Sequence, residues 1–217
     1  MSFKTKKYQV IRGALSKELS KFIFNYMMLQ RDAVGYMMKH NNVNPRNPFI
    51  GTFGDLQVPK AYSKYADWVM ETLLMYMIPV MKEKTGLDLI PTYTYTRVYE
   101  KGNILHRHKD RPSCEISTTL HLGGIQWPIY LDPTGTTSLL GTREGYKPVV
   151  KAGAPQGIRI DLNVGDMLIY SGCELEHWRE AFEGDICCQV FLHYNHAKGP
   201  FAKTNFLDGR PILGIPK

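Results

Sequence analysis

The spacing of apolar residues changes once along the chain, near residue 90. Before it, SKELSKFIFNYMMLQRD places Leu19, Phe22, Tyr26 and Leu29 at intervals of three and four. This predicts an amphipathic helix with Ser16 as its N-cap. The polar stretch HNNVNPRNPFIGTFGDLQVP, rich in Pro, Gly and Asn, predicts a loop. A second helix is expected from about Ala61 to Lys84, with the stripe Val69, Leu73, Tyr76 and Met77. Thr85-Gly86 supplies its stop, and Pro79 should kink or shorten it. From Ile90 onward the segments are short and strand-like: TYTYTRVY, NILHRHKD, EISTTLHL, WPIYL, GIRIDL, DMLIY, EHWREAF and ICCQVFLHYN. The turn signals EKGN, GG, DPTG, NVGD, SG and EGD separate them. At least eight short strands with tight turns predict a β-sandwich or rolled barrel. The fold class is therefore mainly β with N-terminal helices (α+β). One domain is expected over 1–217, with a mostly helical part at 1–89, a β roll at 90–196 and a tail at 197–217.

Composition adds limits. A length of 217 residues suits a single core. Hydrophobic content of 43% and charged content of 22% are ordinary for a globular chain, and 13 Tyr favour β structure. The longest apolar run, LLMYMIPVM, is too short to span a bilayer, and MSFKTKKYQV lacks the apolar core of a signal peptide. Cys114, Cys173, Cys187 and Cys188 form no CxxC pair, which argues against a disulfide framework and a zinc-thiolate site. A cytosolic location with no membrane partner is the expectation. The net charge of +7 leaves nucleic acid open as a partner, but the basic residues are scattered and KTKK is their one run, so nucleic acid is not favoured.

The candidate chemistry starts at LHRHKDRPSCE. His106, His108 and Asp110 lie two apart and share a face in an extended chain. An imidazole and a carboxylate suit Fe(II), although a merely polar strand face has the same spacing. Further on, GDMLIYSGCELEHWREAF runs from a Gly-Asp turn through an apolar strand to a strand opening at His177.

With both motifs in view, the chain resembles the Fe(II)/2-oxoglutarate-dependent oxygenases over roughly Tyr8 to Asn195, and within them the prolyl-4-hydroxylase-like branch. The resemblance implies a double-stranded β-helix core, jelly-roll or cupin-like. It implies His108, Asp110 and His177 as metal ligands, with His106 one step too early. It further implies Fe(II), 2-oxoglutarate and O2, and hydroxylation of a C–H bond in a protein residue or small molecule with release of succinate and CO2. Much of the family anchors the 2-oxoglutarate tail with an Arg or Lys on the strand after the distal His. Here ICCQVFLHYN holds neither. Arg179, on the same strand face as His177, is the first substitute, and Arg97, which shares a face with Tyr93, Tyr95 and Tyr99, is the second. Tyr99 and His121 fall where the branch contacts its co-substrate. Arg111 and Trp127 are candidates for the substrate rim, against a solvent-exposed loop Arg and a packed Trp. Trp178 is expected in the core, and His40, His193 and His196 as ordinary polar or packed residues. The loops 41–60 and 132–149 are expected at the rim.

Three other readings compete. A cupin would use His106, His108 and Glu115. An oxygenase acting on nucleic acid would show spaced arginines after the distal His, which this chain lacks. A non-catalytic β roll would not need an intact triad.

Overall fold

A computed structural model describes residues 3–143 and 147–217; residues 144–146 of the expected 132–149 rim loop lie outside the described residues. A short helix α1 (Phe3–Lys6) and strand β1 (Tyr8–Ile11) precede α2 (Lys17–Lys39), and β2 (Thr52–Phe53) and β3 (Tyr62–Tyr65) precede α3 (Trp68–Thr85). The β region follows as β4 (Leu89–Glu100), β5 (Leu105–His108), β6 (Ile116–Gly124), β7 (Ile129–Leu131), β8 (Leu139–Arg143), β9 (Lys147–Val150), β10 (Ile158–Ile160), β11 (Met167–Ser171), β12 (His177–Arg179) and β13 (Ile186–His196). Each of the eight expected strand segments overlaps one of these strands. The N-terminal part is less helical than its pattern suggests, because it contributes β1, β2 and β3.

A seven-stranded sheet in the order β1-β11-β6-β13-β4-β3-β2 faces a four-stranded sheet in the order β10-β7-β12-β5, and β8 and β9 form a separate hairpin. Side chains alternate faces along a strand, so β13 splits into two sets. Cys188, Val190, Leu192 and Tyr194 join the core that also holds Ile23 and Met27 of α2 and Met70, Leu73, Leu74, Met77 and Met81 of α3. Each such fully buried side chain stabilises the fold by about 1.5–3 kcal/mol. Cys187 and Phe191 face the other way, into a cluster with Tyr99, Leu105, Trp127 and Phe182. The helices thus cover one face of the large sheet and leave the space between the sheets to the site.

The helices correct two expectations. Ser16 does cap α2, accepting from the Leu19 N–H at 3.2 Å. The buried face of α2, however, is Ser20, Ile23, Met27 and Val34, whereas Phe22 and Leu29 are 66% and 72% exposed. The sequence holds two apolar stripes, and the one rotated toward the sheet wins. Tyr26 instead turns its hydroxyl to Asp67 at 2.8 Å. Helix α3 begins at Trp68 rather than Ala61, because Tyr62–Tyr65 pairs with β4 and Asp67 caps the helix at Val69 and Met70. It runs through Pro79 and ends at Gly86, whose φ of 65° suits glycine. Tyr76 faces outward, and Leu73 and Met77 face the core. Among the described residues no helix is long and apolar enough to cross a membrane.

Candidate metal centre

Pairing of the small sheet sets His177 of β12 directly opposite His108 of β5. Their rings approach to 4.2 Å between centroids. His108 Nδ1 donates to the His106 carbonyl at 2.7 Å and His177 Nδ1 to the Leu175 carbonyl at 3.0 Å. A carbonyl only accepts, so each ring carries a proton on Nδ1 and turns Nε2 toward the cluster. Both Nε2 atoms converge on Asp110 Oδ1, at 3.6 Å from His108 and 3.4 Å from His177. These three ligand atoms all lie within 4.8 Å of one another, as a shared cation requires. The Asp110 N–H donates to the Gly172 carbonyl at 2.9 Å, and Ser117 Oγ donates to Asp110 Oδ2 at 2.7 Å. Gly172 is dictated by space, since a Cβ there would stand 2.3 Å from Asp110 Oδ2.

Electrostatics prepares the cluster for a cation. Burial works to raise the Asp110 pKa, but His177 and His108 together hold the carboxyl well below its usual range. Burial, followed by His177, pushes His108 below the ordinary imidazole value. The site is an ionised carboxylate facing two imidazole Nε2 atoms.

Above the cluster lies a cavity of about 150 Å³ between the two sheets. Its walls include Tyr93, Tyr95 and Arg97 of β4, Phe191 and His193 of β13, Tyr170 of β11, Ile129 of β7 and Leu105 of β5. The Tyr170 hydroxyl reaches within 3.4 Å of His177 Nε2. His193, expected to be an unremarkable histidine, lines this cavity, with Nδ1 3.0 Å from Ser117 Oγ. Its alternation with Gln189 and Phe191 on one strand face was the available signal.

Arg179 and Arg97 occupy contrasting environments. Arg97 is already paired: Nε and Nη2 bond Asp55 Oδ2 at 3.0 and 2.6 Å, and Nη2 bonds Gln57 Oε1 at 2.8 Å. Burial works against the Arg97 charge, but Tyr99 and Asp55 more than restore it, and its pKa rises. Arg179 is fully buried and no carboxylate pairs with it among the described residues. It donates to the Trp127 carbonyl and to Thr119 Oγ1 at 3.1 Å, and its Nε has no partner. Burial pushes its pKa down. The buried Tyr99 hydroxyl makes no hydrogen bond of standard geometry; burial raises its pKa, and the positive charge of Arg97 and Arg179 opposes that. The neighbouring Glu180 does not pair with Arg179; its Oε1 accepts from Trp178 Nε1 at 3.0 Å. Thr119 donates to Gln189 at 3.0 Å and Gln189 Nε2 donates to His121 Nδ1 at 3.0 Å, which brings His121 into the same interior row.

The two expected rim residues part company, and only Arg111 borders a groove. Trp127 is buried against Tyr99 and Phe182 and under the Arg179 guanidinium, so it packs the interior rather than the mouth. Arg111 lines a neighbouring groove, but its guanidinium is taken by Asp208. Trp178 stacks on Tyr130 and under Arg107 on the outer side of the small sheet. The cupin ligand set is not assembled: the His106 ring stays outside the cluster, and Glu115 Oε2 accepts from the His196 N–H at 2.9 Å.

Two interior histidines set a pH dependence. Burial lowers the pKa of both His121 and His193 to about 4 from 6.5. Above pH 6.5 both remain neutral whether folded or unfolded, and their contribution to stability is fully present. As the pH falls toward 4, the unfolded chain takes up protons that the folded chain excludes. The metal-free protein is therefore expected to lose stability on the order of a few kcal/mol across this interval. Urea unfolding near pH 7 and near pH 5 measures it; a flat profile would sink the assignment, and His121→Gln should flatten it in part.

No protein-family model and no curated protein matches the chain. Solved structures do. A prolyl-4-hydroxylase from Pseudomonas putida superimposes with a TM-score of 0.55 at 14% identity, over 89% of this chain and 95% of that one. HygX from Streptomyces hygroscopicus, with nickel, 2-oxoglutarate and hygromycin B bound, gives 0.57 at 13% identity, over 90% and 85%. A viral collagen prolyl hydroxylase from Paramecium bursaria chlorella virus-1, in its 2-oxoglutarate complex, gives 0.53 at 10% identity, over 88% and 97%. The chain therefore has the fold of these prolyl hydroxylases and of HygX, the fold in which the two motifs of the sequence are brought face to face.

Proposed function

We propose that the protein is an Fe(II)- and 2-oxoglutarate-dependent dioxygenase that hydroxylates a C–H bond of a protein residue or a small molecule, releasing succinate and CO2. The observation that carries the proposal is one juxtaposition. Two imidazole Nε2 atoms and a carboxylate converge on one cavity, and Arg179, two residues beyond His177 and close enough to the cavity-wall Tyr170 to act on it electrostatically, is a buried arginine with no carboxylate partner among the described residues. Two His and one carboxylate with open positions suit non-haem Fe(II). Bound Fe(II) would supply the activation of O2 coupled to 2-oxoglutarate decarboxylation.

The chain's own residues do the rest. His108, Asp110 and His177 hold the metal, with their protons fixed away from it by the His106 and Leu175 carbonyls. Arg179 and Tyr99, whose Nε and hydroxyl are orphaned, take the distal carboxylate of the co-substrate, with Thr119, Gln189 and His121 alongside. An anion there would compensate a buried charge that is otherwise costly. Leu105, Ile129 and Phe191 keep the wall apolar and exclude water. Substrate enters from the groove of about 610 Å³ that meets the cavity at Tyr95 and is bordered by the 45–52 segment, Tyr65 and Arg111. Support for either substrate class comes from the neighbours, one named for collagen and one holding hygromycin B.

The test adds 2-oxoglutarate to the anaerobic Fe(II)-loaded protein. A visible metal-to-ligand charge-transfer band is expected, and succinate should form under air. Absence of both overturns the proposal.

A further inference from the structure

The chain after β13 returns to the metal centre. Asp208, in a 3-10 turn at Phe206–Gly209, is 2% exposed and receives Arg111 through two hydrogen bonds, Nη1 to Oδ1 at 2.5 Å and Nη2 to Oδ2 at 2.8 Å. Arg111 is the residue immediately after the metal-cluster carboxylate Asp110. Its Nη1 also bonds Ser113 Oγ at 2.8 Å, and its guanidinium lies 4.4 Å over the ring of Tyr93, a wall of the cavity. Asp208 accepts from the Tyr65 hydroxyl at 2.7 Å as well. Leu207 and Asp208 hold left-handed backbone, with φ of 49° and 57°. Non-glycine residues persist there only where their surroundings insist on it. Here the insistence comes from Arg111 and Tyr65.

We propose that Arg111 and Asp208 are positioning residues of the metal centre. Through Asp208 the C-terminal segment holds Arg111, and Arg111 fixes the approach of the Asp110 carboxylate. Asp110 is otherwise held by the Gly172 carbonyl on its N–H and by Ser117 on Oδ2. Those contacts set its height, and the Arg111 clamp sets the direction of the chain that carries it. Bidentate guanidinium–carboxylate pairing supplies the angular constraint. The proposal rests on the metal-binding reading above.

A second anchor makes it testable. Arg210 is buried and bonds Glu71 at 2.6 Å and the Thr92 carbonyl at 2.9 Å, so the tail stays docked without the Asp208 charge. In anaerobic Fe(II) titrations of the full chain, Asp208→Asn is expected to raise the dissociation constant about tenfold or more, as loss of partners behind metal ligands does. The metal-free protein should stay folded with a modestly lower thermal midpoint, since an ion pair is weakened while Arg210 still docks the tail; the charge-transfer band with 2-oxoglutarate should shift, and Asp208→Glu should recover part of the affinity. Arg111→Lys keeps the charge but loses the fork and should fall between the two. Wild-type affinity in both Asp208→Asn and Arg111→Lys overturns the inference. A loss of affinity that only follows a loss of thermal stability, with the band unmoved, overturns it as well. Failure of the wild type to bind Fe(II) would instead overturn the proposed function.

Discussion

Alanine at His177, His108 or Asp110 is expected to abolish Fe(II) binding, with dissociation constants rising more than about 100-fold, while His106→Ala stays near wild type. The magnitude follows because partners behind a ligand already cost roughly 10- to 100-fold, and a ligand itself must cost more. The three positions are not interchangeable. Asp110→Ala removes the negative charge of the cluster, and His177→Ala removes an imidazole that also packs on Tyr170 and His108. His106 contributes its carbonyl, not its ring, to the alignment of His108. Anaerobic titration calorimetry with Fe(II), or Ni(II) as an air-stable probe, measures all four. Retained affinity in Asp110→Ala together with loss in His106→Ala would move the site to the cupin arrangement.

Arg179→Met should weaken 2-oxoglutarate binding about 100-fold and leave Fe(II) affinity within a few-fold. A charge-assisted pairing to a carboxylate contributes roughly 1.5–3 kcal/mol, and burial keeps it from being screened. Stability separates this arginine from Arg97. Arg179 is a buried cation with no carboxylate partner among the described residues, so its removal relieves desolvation while freeing the Trp127 carbonyl and Thr119. The two effects oppose, and the unfolding free energy should change by less than about 2 kcal/mol. Arg97→Met leaves the half-buried Asp55 without its cation, although Tyr95, Ser63 and the Gln57 and Val58 N–H groups still bond it, and should destabilise by about 1–3 kcal/mol. Co-substrate titrations of iron-loaded variants, with urea unfolding alongside, give both numbers. If Arg97→Met loses 2-oxoglutarate and Arg179→Met does not, the anchor is Arg97.

Legibility differed by element. Strands were readable because a period of two is a local property, and β4, β6, β11 and β13 each carry it. For the same reason Tyr93, Tyr95, Arg97 and Tyr99 could be placed on one face, and Cys187 and Cys188 on opposite ones. Helix α2 was readable as a helix but not as a surface. Leu19, Phe22 and Leu29 form as good a stripe as Ile23, Met27 and Val34, and which of them is buried depends on the sheet beneath. Strand β3 was hidden because Tyr62–Tyr65 gains its strand character from pairing with Tyr95–Val98 of β4, a neighbour distant along the chain.

The sequence by itself determined the period of each strand, the caps at Ser16 and Gly86, and the two short stretches that hold His108, Asp110 and His177. Tertiary structure alone decided that His177 stands opposite His108, that Arg179 has no carboxylate partner among the described residues while Arg97 has Asp55, and that Asp208 reaches Arg111. The physical reason is one of range. Periodicity and capping are set by residues a few positions apart, whereas burial, charge pairing and ligand convergence depend on which distant segments share the space between two sheets.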